Sequence, residues 1–321
     1  MGSKTGGYEN MSKIYQQIIQ ASEKNLQTLF PCNGIRYKVC AHDAMCGMHC
    51  CIDGNCVSCL SDMFRKHEQA NRVYNCLPIT YTYTLRFLNR YASEVYHILN
   101  TFLDSFTDLS GKNIVSIGCG PATELVALER ICRENSINSV QYHGFDMNTV
   151  WESVQSMLGR MVCNPVSTFY NNCLKDNTEI LKNAKLLIAN YLLSDIYKHS
   201  NNSCQNRQVL DFLNNSILPI FNAMPKDSYL LINDVNSCNM GRDDIEEWFQ
   251  SLDANLFERH WGTFEMYYKD RNGYLRPMTF KSPGTILRNK SFVFSDIIDL
   301  FAYSKNVTEC NSAFVLIKKK L

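Results

Sequence analysis

The chain has 321 residues, 45% of them hydrophobic and 20% charged, a balance that excludes a disordered chain and is enough for one large domain with a smaller one beside it. Lys and Arg number 32 against 31 Asp and Glu, and a formal net charge of +1 excludes any bulk electrostatic pull toward nucleic acid, leaving such binding to a local patch. No run approaches the ~20 apolar residues of a membrane span and no charged-then-apolar leader opens the sequence, so we expect no membrane partner, a cytoplasmic location and reduced cysteines.

Tyr15 to Phe30 carries Ile18, Ile19, Leu26 and Leu29 at helical spacing and stops before Pro31, which predicts a first helix. A cysteine-rich segment follows, with few large aliphatics and therefore no core of its own; small segments of this kind are usually held by a metal. Its candidate ligands are Cys40, Cys46, Cys50, Cys51, Cys56 and Cys59. Cys56-x-x-Cys59 has the spacing of a zinc knuckle, and His42, His49 or His67 can replace a cysteine; an iron–sulfur cluster uses the same ligands and is the alternative to zinc. Leu60 to Asn75 and Thr82 to Ser105 then read as two helices, the second presenting Leu88, Tyr91, Val95, Ile98 and Leu99 on one side. Residues 1–105 are thus expected to form an N-terminal helical, metal-binding module, and residues 106–321 a second domain.

In that second domain strands and helices alternate. Strands are predicted at Asn113 to Ile117, Val140 to Phe145, Val166 to Tyr170, Lys185 to Ala189, Tyr229 to Asp234 and Ser312 to Ile317, and helices at Thr149 to Met161, Gln205 to Phe221 and Asp243 to Leu252. Alternation of this sort implies an α/β fold with a parallel sheet covered on both faces and a ligand at the carboxyl ends of its strands. Thr263 to Lys269 and Tyr274 to Phe280 flank Asn272-Gly273, a strong hairpin signal, which we place on the substrate side.

The run Asn113-Ile-Val-Ser-Ile-Gly-Cys-Gly-Pro-Ala-Thr-Glu124 is a buried strand stopping at a glycine turn that opens into a helix, the arrangement of a nucleotide-cofactor site. A dinucleotide fingerprint needs a third glycine at 123; this chain has Thr123 there, and Glu124 in the first helical turn repels pyrophosphate. The same acid suits a ligand with cationic groups and no phosphate, such as S-adenosylmethionine. Asp146, ending the second strand, is placed to accept hydrogen bonds from two ribose hydroxyls. Gly118, Gly120, Pro121, Glu124, Asp146 and Met147 are therefore the expected cofactor contacts, joined by Asn171 or Asn172 at the adenine edge and by Asn190 where the fourth strand ends. Tyr191 follows at the point where a transferred methyl group should lie. Methyl transfer is an in-line displacement that needs alignment first and a base only when the nucleophile must lose a proton; Asp195 and Asp234 are the candidates by position, each with an alternative role in capping or loop orientation. A cysteine nucleophile is disfavoured, because Cys238 is poorly placed.

Over roughly Tyr81 to Leu321 the sequence resembles the class I S-adenosylmethionine-dependent methyltransferases, in the glycine turn and in the acid ending the second strand. It departs from them in Ser116, where the family usually has its first acid, and in Ala122, where it usually has a third glycine. Within that class Arg86-Phe-Leu-Asn-Arg-Tyr-Ala-Ser-Glu94 and Ala189-Asn-Tyr-Leu-Leu-Ser-Asp195 resemble motifs of the mitochondrial small-ribosomal-subunit methyltransferase-like family. The resemblance implies a Rossmann-like methyltransferase acting on RNA or a ribonucleoprotein, with Tyr81, Tyr83 and Phe87 near the module for base stacking. The near-neutral charge argues against RNA, and the alternatives are a small-molecule or protein methyltransferase and a non-catalytic cofactor-binding assembly protein.

Overall fold

The computed structural model describes residues 77–103, 107–162, 164–172, 174–199, 205–236, 242–264, 267–269, 274–277, 284–288, 290–293 and 309–321. The first two predicted helices and all six candidate metal ligands, Cys40 to Cys59, lie outside these residues. Among the described residues no group of three or more His, Cys, Asp or Glu side chains is placed to hold a metal. Cys119, Cys132 and Cys310 are buried thiols, small apolar groups within the packing.

The first described element is helix α1 (Leu77–Phe102), longer at its start than its apolar spacing alone indicates. Its stripe of Leu88, Tyr91, Val95, Ile98 and Leu99 is buried, and α1 packs against helix α2 (Thr123–Glu134), which follows strand β1 (Asn113–Ile117). Helix α2 is buried from Thr123 to Cys132, and Asn135 closes it through its backbone N–H to Ile131 O. Then come β2 (Gln141–Phe145), a 3-10 turn (Thr149–Trp151) leading into α3 (Glu152–Met161), and β3 (Val166–Tyr170). Asn148 starts the 3-10 turn, its Oδ1 accepting from Val150 N at 3.2 Å.

A 3-10 segment (Leu174–Asn183), interrupted at Asn177, leads to β4 (Ala184–Asn190) and a short helix α4 (Leu193–His199) that the sequence pattern does not reveal. The single helix expected over Gln205 to Phe221 is divided: α5 (Gln205–Phe212), a π-turn (Leu213–Ile217) and α6 (Leu218–Asn222). Pro219 accounts for the change, since its ring clashes with the carbonyl four residues back and widens the turn there, so that Leu218 N reaches Leu213 O. Strand β5 (Tyr229–Val235), helix α7 (Arg242–Ser251) and strand β6 (Phe257–Thr263) follow. Strand β6 corrects the sequence reading, in which Thr263 begins a strand: Thr263 ends one instead, and only β7 (Tyr267–Lys269) pairs antiparallel with β8 (Leu275–Pro277) to make the expected hairpin. Glu258, Arg259 and His260 hide β6 from a pattern search, whereas pairing along its whole length with the last strand fixes it. Strand β9 (Thr285–Ile286) and β10 (Ser312–Lys319) complete the set.

Eight strands form one sheet in the order β3-β2-β1-β4-β5-β10-β6-β9. Strands β1 to β5 are mutually parallel where they pair, and β10 runs antiparallel between β5 and β6, so the sheet is mixed and Rossmann-like, not purely parallel. One apolar cluster, with α1, α2 and α3, covers one face; the other, with α5, α6 and α7, covers the opposite face. Strand β10 is buried on both sides from Ser312 to Ile317, the continuous apolar pattern of a strand packed between two layers. The strand order reverses between β1 and β4, which opens a crevice at their carboxyl ends.

Candidate cofactor site

The crevice is a cavity of about 550 Å³. The turn after β1 forms its floor. Gly118 and Gly120 take φ of 60° and 49°, the left-handed region that glycine enters at no steric cost. A Cβ on Gly118 would sit 2.5 Å from Leu192 Cδ1, whereas one on Gly120 would meet nothing closer than Trp151 at 3.7 Å; a side chain at the first would require the Leu192 side chain to shift, and backbone conformation alone disfavours one at the second. Ala122 adopts the same region, φ 61°, without that freedom, which costs about 1–2 kcal/mol.

The turn is held from several sides. Cys119 N donates to Phe145 O at 3.1 Å, Gln155 Nε2 donates to Gly120 O at 2.8 Å, and Gly120 N donates to Asp146 Oδ2 at 2.8 Å. Asp146 Oδ1 accepts from Asn148 N at 2.9 Å. Each Asp146 oxygen thus keeps a further lone pair, and the side chain lines the cavity. Burial raises its pKa, opposed by the Asn148 and Gly120 N–H groups.

The structure brings most of the expected residues to this cavity. Gly118, Gly120, Pro121, Asp146, Met147, Asn172 and Asn190 line it, as do Tyr191 and Asp195. Met147 lies at the lip, 80% exposed, and Asn172 is exposed with its Oδ1 accepting from Asn177 Nδ2 at 3.3 Å. Tyr83 and Thr123 line it too, and Leu174, Trp151 and Ile217 add walls to which the sequence does not point; the π-turn before Pro219 supplies Ser216 and Ile217.

Two expected residues are turned elsewhere. Glu124 does not line the cavity: it is buried beneath the turn, where Oε1 accepts from Ser116 Oγ at 2.5 Å and Tyr142 Oη at 2.6 Å and Oε2 from Thr123 Oγ1 at 3.4 Å. Ser116, standing where an acid is usual, is thus a donor to an acid eight residues later. Burial raises the Glu124 pKa against the pull of those hydroxyls. Asp234 is fully buried and also absent from the lining, with Oδ2 accepting from Ser194 N at 3.1 Å and Oδ1 from Val235 N at 2.7 Å; it holds the start of α4. Burial pushes its pKa up to about 6.

Tyr191 has φ 57°, a rare conformation for a bulky residue. Its backbone N donates to Asn233 O at 2.7 Å, its ring stacks on Tyr91 with centroids 3.5 Å apart, and its Oη donates to Glu94 Oε2 at 2.8 Å. The ring faces the cavity while the hydroxyl is committed to a carboxylate, and burial raises its pKa well above the usual phenol value. Glu94, fully buried on α1, is the residue that sequence reasoning passes over. A signal exists: an acid three residues after Tyr91 and four before Ile98 sits in the middle of an apolar helical stripe, and a buried carboxylate must be satisfied.

No protein-family model matches the chain, and no curated protein matches it in sequence. Several solved structures are similar to it, at TM-scores below 0.5. An rRNA methylase from Streptococcus thermophilus is 12% identical, with 73% of this chain and 94% of that one covered and a TM-score of 0.36. A precorrin-6y C5,15-methyltransferase from Geobacter metallireducens is 7% identical over 71% of this chain and 88% of its own, at a TM-score of 0.39. A SAM-dependent O-methyltransferase from Thermotoga maritima is 12% identical over 72% and 64%, at 0.34. The closer resemblance to the mitochondrial small-ribosomal-subunit family is not shown by these comparisons.

Proposed function

We propose that this chain is an S-adenosylmethionine-dependent methyltransferase. The observation that carries the reading is the left-handed glycine turn at the strand-order reversal, pinned by an Asp146 carboxylate that keeps acceptor capacity toward the cavity. The residues present fit the cofactor: Asp146 for the ribose hydroxyls, Gly118, Gly120 and Pro121 for close approach of the methionine part, Met147 and Asn172 around the adenine, and Asn190 and Tyr191 at the reacting end. Glu124 acts from beneath, holding the turn. When bound, the cofactor supplies a methyl group on a positively charged sulfur. This chain's part is alignment in a desolvated pocket, with Asp195 as the lining carboxylate able to take a proton where the nucleophile must lose one. Asp234 holds α4 and is not a candidate for that base.

For the acceptor we propose RNA or a ribonucleoprotein, supported by Tyr83, Tyr91 and Trp151 on the cavity wall, rings of the kind on which a base stacks. A small-molecule acceptor is the second reading, favoured by the lining itself: among the described residues it contains no Lys, Arg or His. We further propose that the cysteine-rich part of residues 1–105 is ordered by about one zinc within Cys40 to Cys59, while Leu77–Phe102 packs on the sheet; elemental analysis of the purified protein tests the zinc.

Calorimetry tests the main reading. S-adenosylmethionine and its demethylated product should bind and NAD should not; comparable affinity for NAD, or no binding of either cofactor form, sinks it. RNA binding that weakens with added salt supports the RNA acceptor, and salt-insensitive or absent RNA binding moves the weight to a small molecule.

A further inference from the structure

Helices α1 and α2 bury Glu94, Glu124 and Glu129, and an arginine matches the first and the last of them. Glu94 Oε1 pairs with Arg90 Nε at 3.0 Å, and Glu129 pairs with Arg133. Glu124 has neutral donors: the hydroxyls of Ser116, Tyr142 and Thr123, the side-chain amide of Asn190 and its own backbone N–H. Donors on every side are the surroundings of an ionised carboxylate, favoured further by its place in the first turn of α2, and no Lys, Arg or His is among those partners.

Holding the turn does not by itself require that charge. A hydroxyl accepts as readily as it donates, so Ser116, Tyr142 and Thr123 could each turn to serve a neutral glutamine. Glu94 differs, because Arg90 Nε and Asn311 N, both at 3.0 Å from Oε1, can only donate and a glutamine amide would oppose donor to donor. The charge at 124 therefore answers to something else. Thr123 and Asn190, two of its hydrogen-bond partners, line the cavity, so the carboxylate lies one side chain behind the wall. The lining in front of it holds Asp146 and Asp195 and, among the described residues, no Lys, Arg or His. Burial first, and the Asp195 charge after it, raise the Asp146 pKa, as expected of acids confined together without a cation.

We propose that Glu124 is a counter-charge for the positively charged sulfur of S-adenosylmethionine, so that the site selects the charged cofactor over its demethylated product. The proposal rests on the methyltransferase reading above, in which Asn190 stands at the reacting end and Glu124 directly behind it. A buried carboxylate without a cation is costly, and a positive charge brought to the far side of Thr123 and Asn190 offsets part of that cost in surroundings that screen it little. When the methyl group passes to its acceptor, the pair of the broken bond stays on sulfur, the sulfur becomes neutral and this attraction ends. Exchange of spent for fresh cofactor is favoured as a result.

Calorimetric titration of S-adenosylmethionine and of its demethylated product into the full chain tests it. Binding of either form by the unaltered protein checks the methyltransferase reading by itself; if neither binds, that reading falls and this one with it. Glu124→Gln should weaken binding of S-adenosylmethionine about tenfold while leaving the product within about twofold, so that the ratio of the two affinities falls. Equal losses for both forms mean that Glu124 only holds the turn, and they overturn the proposal, as does an unchanged ratio. Ser116→Asp, Glu124→Ser moves the carboxylate to the other end of the same hydrogen bond and should keep the ratio, whereas Ser116→Asn, Glu124→Ser, its neutral counterpart, should lose it. That pair supplies the same comparison if Glu124→Gln does not fold, and equal ratios in the two overturn the proposal.

Discussion

Asp146 and Asp234 occupy equivalent places, one just past the end of β2 and the other near the end of β5 in the same sheet, but their surroundings use them in opposite ways. Asp146 faces the cavity and ties down the glycine turn; Asp234 points into the fold and holds the first turn of α4. The difference comes from what the chain does next. After β2 it passes along the cavity lip through Met147 and Asn148, so the carboxylate stays beside open space. At β5 the start of α4 brings Ser194 N against the carboxylate, and its two oxygens are taken up by backbone N–H groups. A carboxylate at the end of a parallel strand is thus available to a ligand only where no helix start consumes it.

The sharpest way to break this comparison is pH. The folded Asp234 pKa of about 6 lies above the ~3.9 of an unfolded aspartate, so the folded state holds the proton more tightly. The stability this contributes is present below pH ~4 and is lost as pH rises through 6, on the order of 3 kcal/mol over that window. Urea unfolding of Asp234→Asn should therefore show a flatter profile between pH 4 and 7 than the unaltered chain; Asp146, also raised, contributes the same sign to both and drops out of the difference. Parallel profiles would mean that the Asp234 charge is not buried in solution.

Next in size is cofactor affinity. Asp146→Ala should weaken S-adenosylmethionine binding by about 1–3 kcal/mol, roughly 5- to 150-fold, while Asp234→Asn should stay within about twofold of the unaltered chain. If the two variants lose affinity equally, the roles assigned to the two strand ends are wrong. The smallest effect concerns the turn alone. Ala122→Gly relieves a left-handed alanine, about 1–2 kcal/mol, against the entropy of a new glycine, about 0.5–1 kcal/mol, so thermal unfolding should show a gain of up to about 1.5 kcal/mol. A loss would mean that the packing of the buried Ala122 methyl outweighs the relief of its backbone.

The glycine turn, the strand before it and Asp146 are legible in the sequence because each is local: a buried run, residues that permit positive φ, and an acid at a strand end. The five parallel strands are legible for the same reason. Glu124 has the right place in the helix for a cofactor contact, but the direction of a side chain in a first helical turn depends on its neighbours, here Ser116 and Tyr142. Tyr191 lies on the cavity wall as its position after the fourth strand predicts, yet its hydroxyl answers to Glu94, ninety-seven residues away, a partner that no spacing rule supplies. The division of the Gln205 to Phe221 helix is written in Pro219, a breaker that the apolar spacing around it conceals.

The place of β10 governs the order in which the sheet can be made. Strand β6 has no hydrogen-bonded contact with β5; β10 lies between them and pairs with both. A chain growing from a ribosome adds roughly 5–20 residues each second, so Phe257–Thr263 waits on the order of seconds before Ser312–Lys319 exists to receive it. Throughout that wait the outer side of β5 is an unpaired edge bearing buried-type side chains, open to any other strand that arrives first.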